Sequence, residues 1–272
     1  MEVIIYGDFN CAYCYLASQR ADRLVQAGAA AVAWRAVEHD RRLPLTGMRP
    51  DAQAAAWDRE LAEVASLALP GERPAAAPPP VVSNTRAAVA AYAEAVTDGA
   101  HDELRRRLFR AIWADGRHIS SAYDVRRIIV DLMWPPPPPA QMTPDLAGPL
   151  LHDADLAQSV RRTGGTITPD GGPLTTAGYL RIRRWRQEWL ALPQQVVPAV
   201  IGPDGTLHPG ADGLRWLAGL AAAGAANRIP QTPVIVPRPA VHARPANPAG
   251  FGTGGALLGL AGDACLAAAA DR

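Results

Sequence analysis

Val3, Ile4, Ile5 and Tyr6 form an unbroken apolar run near the start of the chain, the mark of a short buried strand over residues 2–6. Behind it, Leu16, Ala17, Ala21, Leu24 and Val25 recur every three or four residues. That is the period of a helix with one buried face. Gly28 ends the pattern, and Asp8 or Asn10 is a suitable residue type to cap its start. A second apolar run over 31–37 predicts another strand, so the first part of the chain reads β-α-β.

The middle of the chain reads differently. Residues 51–68 look helical, a Pro/Ala loop spans 70–80, and the pattern from 84 to 133 is helical throughout. Three stripes carry that block: Val89, Tyr92 and Val96; Leu104, Leu108 and Ile112; then Val125, Ile128, Ile129 and Leu132. Ser121 with Asp124 resembles a capping box, with Asp in place of the usual Glu or Gln. Pro135 to Pro139 cannot be helical and predict an extended spacer. With no flanking basic or aromatic pattern, a rigid loop is preferred over a ligand for a proline-binding module. Further helices are predicted over 144–160 and 175–192, with a Gly-rich loop between them.

The last ordered unit is short. Residues 196–201 look like a strand despite Pro198, Pro203-Asp204-Gly205 is a turn, and 206–208 is a second strand. Gly210 then leads into a helix with Leu214, Leu217 and Leu220 on one face, giving β-β-α. Beyond residue 224 the chain is rich in Pro, Gly and Ala without periodicity, which predicts a disordered tail.

Composition narrows the classes. In a chain of 272 residues, 27 basic side chains face 26 acidic ones, a balance that argues against a nucleic acid or anionic membrane partner. Every one of those bases is Arg, spread along the whole chain. No stretch approaches 18 uninterrupted apolar residues, so no membrane span is predicted. Met1 runs directly into a strand-like segment with no basic n-region, and three Cys cannot staple a secreted scaffold. The predicted address is the cytoplasm.

The candidate chemistry lies at the first strand-to-helix junction, where residues 8–15 read Asp-Phe-Asn-Cys-Ala-Tyr-Cys-Tyr. A thiol on the first turn of a helix meets unpaired N–H groups and the positive end of the dipole, which favour the thiolate. The spacing of Cys11 and Cys14 keeps one sulfur within reach of the other. Cys11 is therefore expected to be the exposed nucleophile and Cys14 the buried thiol that resolves a mixed disulfide. Half of a zinc site and an incidental core pair are the alternatives. Zinc needs two further ligands and no second C-x-x-C or C-x-x-H exists, so no metal is expected. Cys265 reads as an inert tail thiol and His39 as a solvated loop histidine, although each could serve the dithiol. Arg181, Arg183, Arg184 and Arg186 read as the wet face of a helix whose other face carries Ile182, Trp185 and Trp189.

These residues carry a resemblance. Asp8-Phe9-x-Cys11-x-Tyr13-Cys14-Tyr15, Trp34-Arg35, Ser83-Asn84-Thr85, Gly116-Arg117-x-Ile119 and Val197-Pro198-Ala199 are similar to motifs of DsbA-family dithiol oxidoreductases. The likeness is to the cytoplasmic, FrnE-like or hydroxychromene-carboxylate-isomerase-like branch. It implies an α/β, thioredoxin-like fold with a large all-helical insertion between the β-α-β and β-β-α halves. The thioredoxin-like domain would take residues 1–44 and 171–224, the insertion 45–170, and the tail 225–272. It also implies Cys11 attacking, Cys14 resolving, Pro198 as a cis-proline beside them, and Val197 and Tyr13 contacting substrate. The implied partner is a disulfide-containing protein or a small thiol. No bound cofactor is implied, and glutathione is the candidate co-substrate. Ala12 stands where the family usually has proline. A serine commonly replaces the first Cys in the isomerase branch, so Cys11 favours redox chemistry over a glutathione-dependent isomerase of aromatic or polyketide-derived compounds. A non-enzymatic binding protein on the same fold is the alternative of a different class.

Overall fold

The computed structural model describes residues 1–97, 99–133, 167–168, 171–173 and 175–226. Strand β1 (Glu2–Gly7) leads into helix α1 (Ala12–Gln26) and strand β2 (Ala31–Ala36). A single 3-10 turn at Pro50–Gln53 precedes α2 (Ala54–Ser66), α3 (Arg86–Ala95), α4 (His101–Trp113) and α5 (Ala122–Met133). Helix α6 (Thr176–Leu190) then leads to β3 (Ala199–Ile201), β4 (Leu207–Pro209) and α7 (Gly210–Ala226).

The four strands lie in the order β2-β1-β3-β4, with β1 parallel to β2 and antiparallel to β3, and β3 antiparallel to β4. The central strand has Val3 and Ile5 fully buried and Tyr6 2% exposed. A strand covered on both faces reads as a continuous apolar run. Gly7 lets the sheet close tightly, because a Cβ there would fall 2.3 Å from the Trp34 ring. Tyr6 and Arg35 both donate to a Glu188 oxygen, at 3.1 and 2.7 Å, and so fasten the sheet to α6.

Helix α1 stops where Gly28 takes a φ of 63°, a left-handed conformation that favours glycine. Its start differs from expectation. The cap is Cys11, not Asp8 or Asn10. The Asp8 carboxylate is already occupied by Thr85 and His39, and the Asn10 amide donates to Ser83. The cysteine sulfur is left to take the Cys14 N–H.

The block from 84 to 133 is three helices, not a continuous run. Gly99 and Gly116 carry positive φ at the breaks between them. Ser121 caps α5 by accepting from the Asp124 N–H at 3.2 Å, while its hydroxyl donates to the Asp124 carboxylate. Strand β3 starts at Ala199, three residues later than the apolar run suggests, because Pro198 has no N–H for the ladder. Tertiary contacts also occupy part of the arginine face of α6: Arg181 donates to the Ala93 carbonyl and Arg186 to that of Glu38. The proline run at 135–139, the helix expected over 144–160 and Cys265 lie outside the described residues.

Candidate active site

The segment from Asp8 to Cys14 is held from three directions. Phe9 packs on Phe109 and Tyr92, and its carbonyl accepts from the Trp113 indole at 2.9 Å. Ser83, Asn84 and Thr85, read from sequence as the opening of a helix, also brace this turn. The Ser83 carbonyl accepts from Asn10 at 3.1 Å, and Asn84 donates to the Leu43 carbonyl at 2.6 Å. The Thr85 hydroxyl donates to Asp8 at 2.6 Å and makes no cap to its own helix.

Both thiols are free. Cys11 is 7% exposed and Cys14 fully buried, so Cys11 is the more accessible of the two but is no open surface residue. Its sulfur accepts from the Cys14 N–H at 3.3 Å, and its S–H donates to the Val197 carbonyl at 3.4 Å. Val197 therefore reaches Cys11 from 186 positions along the chain. The Val197–Pro198 peptide bond is cis.

Electrostatics separate the two sulfurs from their surroundings. Burial pushes the Cys14 thiol up, and its hydrogen bond to Cys11 and the charge of that neighbour push the same way. A backbone hydrogen bond from Asp8 opposes them. Cys14 thus favours its neutral thiol form. His39 is the residue that sequence reasoning undervalued. Both its N–H and its Nδ1 lie 2.8 Å from the Asp8 carboxylate. Burial works against its charge, but the Asp8 hydrogen bond, the Asp8 charge and that of Cys11 prevail, raising its pKa from 6.5 to about 9. Water still reaches 41% of the side chain and screens the pair.

A cavity of about 410 Å³ opens on this site. Cys11, Tyr13 and His39 line one side, and Trp57 and Glu60 of α2 another. Val82 and Met48, which pair as an isolated bridge, add an apolar wall, and Val196 and Val197 lie at the cavity as well. Tyr13 donates to Glu63 at 2.7 Å, and burial together with that bond raises its pKa. The structure thus brings Cys11, Tyr13 and Val197 to one opening. Trp57 and Glu60 were missed because only their i, i+3 spacing on an exposed-looking helix marks them, and nothing in the sequence ties that face to the dithiol.

A family model for the DSBA-like thioredoxin domain matches residues 2–136. That stretch of the chain is a DSBA-like thioredoxin domain. Among solved structures it is similar to a probable DsbA oxidoreductase from Streptomyces coelicolor, with a TM-score of 0.52 and 18% identity, covering 85% of this chain and 92% of that one. It is also similar to a 2-hydroxychromene-2-carboxylate isomerase, with a TM-score of 0.50 and 15% identity over 83% and 96% of the two chains. At these identities the likeness establishes the thioredoxin-like fold. No curated protein sequence matches the chain. The DSBA-like thioredoxin domain supports an enzyme of the thiol–disulfide oxidoreductase type. No helix among the described residues is long and apolar enough to cross a membrane.

Proposed function

We propose that this DsbA-like protein is a cytoplasmic dithiol oxidoreductase working through Cys11 and Cys14. The observation that carries the reading is the meeting of three groups at one helix start: an accessible sulfur, a buried thiol three residues on, and the Val197 carbonyl. In the proposed cycle the Cys11 thiolate attacks one sulfur of a substrate disulfide. That S–S bond breaks, one substrate thiolate leaves, and Cys11 is left in a mixed disulfide. Cys14 then gives up its proton and attacks the Cys11 sulfur, expelling the second thiolate. The substrate gains two electrons and the protein pair loses them, and a cellular thiol, with glutathione the candidate, returns them.

The N–H of Cys14 and the positive end of α1 favour the attacking thiolate. His39, held protonated by Asp8, adds a cation at the same opening. The high pKa of Cys14 keeps it a thiol until its partner is engaged. Val197 would offer its backbone to a substrate chain, with Pro198 fixing the approach and Tyr13 at the cavity edge.

Replacing both thiols one at a time tests this. Cys11→Ser should lower disulfide exchange at least about a thousandfold, because an alcohol does not replace a thiolate nucleophile. Cys14→Ser should accumulate a mixed disulfide at Cys11, visible as an added mass that dithiothreitol removes. Undiminished turnover in Cys11→Ser would end the reading.

A further inference from the structure

The cavity beside Cys11 is lined by two carboxylates, Asp40 and Glu60. Glu60 projects from α2 into its lining, half-buried, and forms no ion pair among the described residues. Burial raises its pKa, the His39 charge pulls the other way, and the neighbouring Glu63 adds to the rise. Asp40, also in the lining, is held by Arg42, whose Nε lies 3.2 Å away. No Arg among the described residues lines the cavity, and the chain contains no Lys. Among the described residues its one basic side chain is His39, and Asp8 already answers that charge.

One buried acceptor points the same way. Of the buried side-chain atoms that lack a hydrogen-bond partner among the described residues, two belong to residues lining this cavity: Asn10 Oδ1, an acceptor, and Trp57 Nε1, a donor. Both residues are at least nine-tenths buried. A buried acceptor left without a donor is costly unless a ligand supplies one. An ammonium group supplies donors to Asn10 and Glu60 and can also lie against the Trp57 ring. A carboxylate can take only the Trp57 N–H, leaves Asn10 Oδ1 without a donor and brings like charge towards Glu60.

We propose that Glu60 selects the charge of the substrate, and that the cavity takes disulfides carrying an amine near the sulfur in preference to those carrying a carboxylate. The inference rests on the dithiol reading of Cys11 and names the substrate class of that site. Trp57 and Glu60 are three residues apart, so α2 presents ring and carboxylate together to whatever is bonded to Cys11.

The test has two arms. In the first, the reduced protein is mixed with cystamine, bis(2-hydroxyethyl) disulfide or 3,3′-dithiodipropionate, and each rate is divided by that of a small free thiol with the same disulfide. The normalised rates should fall in that order by at least about tenfold from end to end, less at high salt. E60Q should narrow the cystamine-to-dithiodipropionate ratio at least about fivefold. In the second, Cys11 is alkylated by bromoethylamine, iodoacetamide or iodoacetate, normalised in the same way. This arm reads the charge preference whether or not any disulfide is turned over. The same order there, with the same narrowing in E60Q, upholds the inference. A normalised preference for the anionic reagents, or an E60Q variant that keeps the cationic preference, would overturn it. Failure of all three disulfides with charge-ordered alkylation would instead overturn the dithiol reading alone.

Discussion

Helix α1 carries polar groups at both its start and its flank, and the two places treat them differently. On the flank, Arg20 is 1% exposed and spends its guanidinium completely: both oxygens of the fully buried Glu72 at 3.0 Å, and the carbonyls of Leu67 and Leu214. Arg105, equally buried, donates from α4 to Ser18 and to Asp22 at 2.6 Å, leaving only its Nε without a partner. These two arginines tie α1 to the helices around it. At the start of α1, by contrast, His39 is part-exposed, and among the described residues Asn10 Oδ1 and Trp57 Nε1 have no hydrogen-bond partner and Glu60 forms no ion pair. Saturated polar groups fix structure, because any change leaves a buried charge unpaired. Groups left with capacity at a cavity are where a ligand can be recognised.

The largest effect belongs to the saturated side. Arg20→Met strands Glu72 with Arg23 alone, 3.6 Å away and partly exposed, and should cost about 3–5 kcal/mol in urea unfolding. Adding Glu72→Leu should recover much of that loss, because an apolar pair leaves no buried charge. If the double variant is no more stable than the single one, Arg20 matters through its carbonyl contacts instead.

At the open end the effect is smaller and depends on pH. The folded pKa of His39 lies above its ordinary value, so its pairing with Asp8 stabilises fully below 6.5 and is lost as pH rises through about 9. The stability gap between the protein and a His39→Gln variant should therefore be widest in weak acid and close across that window. At neutral pH the same variant should slow Cys11 alkylation about three- to tenfold, because the thiolate loses its cationic neighbour. A gap that widens with rising pH would reverse the assignment of charge.

Trp57→Phe should have the least effect on stability. It removes an N–H that no group among the described residues accepts, so the change should stay within about 1 kcal/mol, far from the loss at Arg20. A loss as large as that of Arg20→Met would erase the contrast between the start of α1 and its flank.

Much of the fold was legible in one dimension. The apolar run at 3–6, the helical stripe behind it and the β-turn-β-α pattern near the end of the described chain each report a local period, and local periods survive into any tertiary setting. Element ends were less legible. Asp8 looks like a helix cap by type, and only its capture by Thr85 and His39 passes that role to Cys11. Likewise, His39 on a polar loop gives no sign in sequence that its partner is 31 positions away.

The sequence by itself determined the dithiol, its place at a strand-to-helix turn, and the β-α-β and β-β-α order that frames it, because all of these depend on neighbours a few residues apart. Only the tertiary structure decided which groups face the sulfur. His39 and the α2 residues Trp57 and Glu60 come from separate segments, and they share a cavity with Cys11 because the sheet and the packed helices bring those segments to the start of α1. Periodicity says which face of each element is buried; it does not say which buried faces share a cavity.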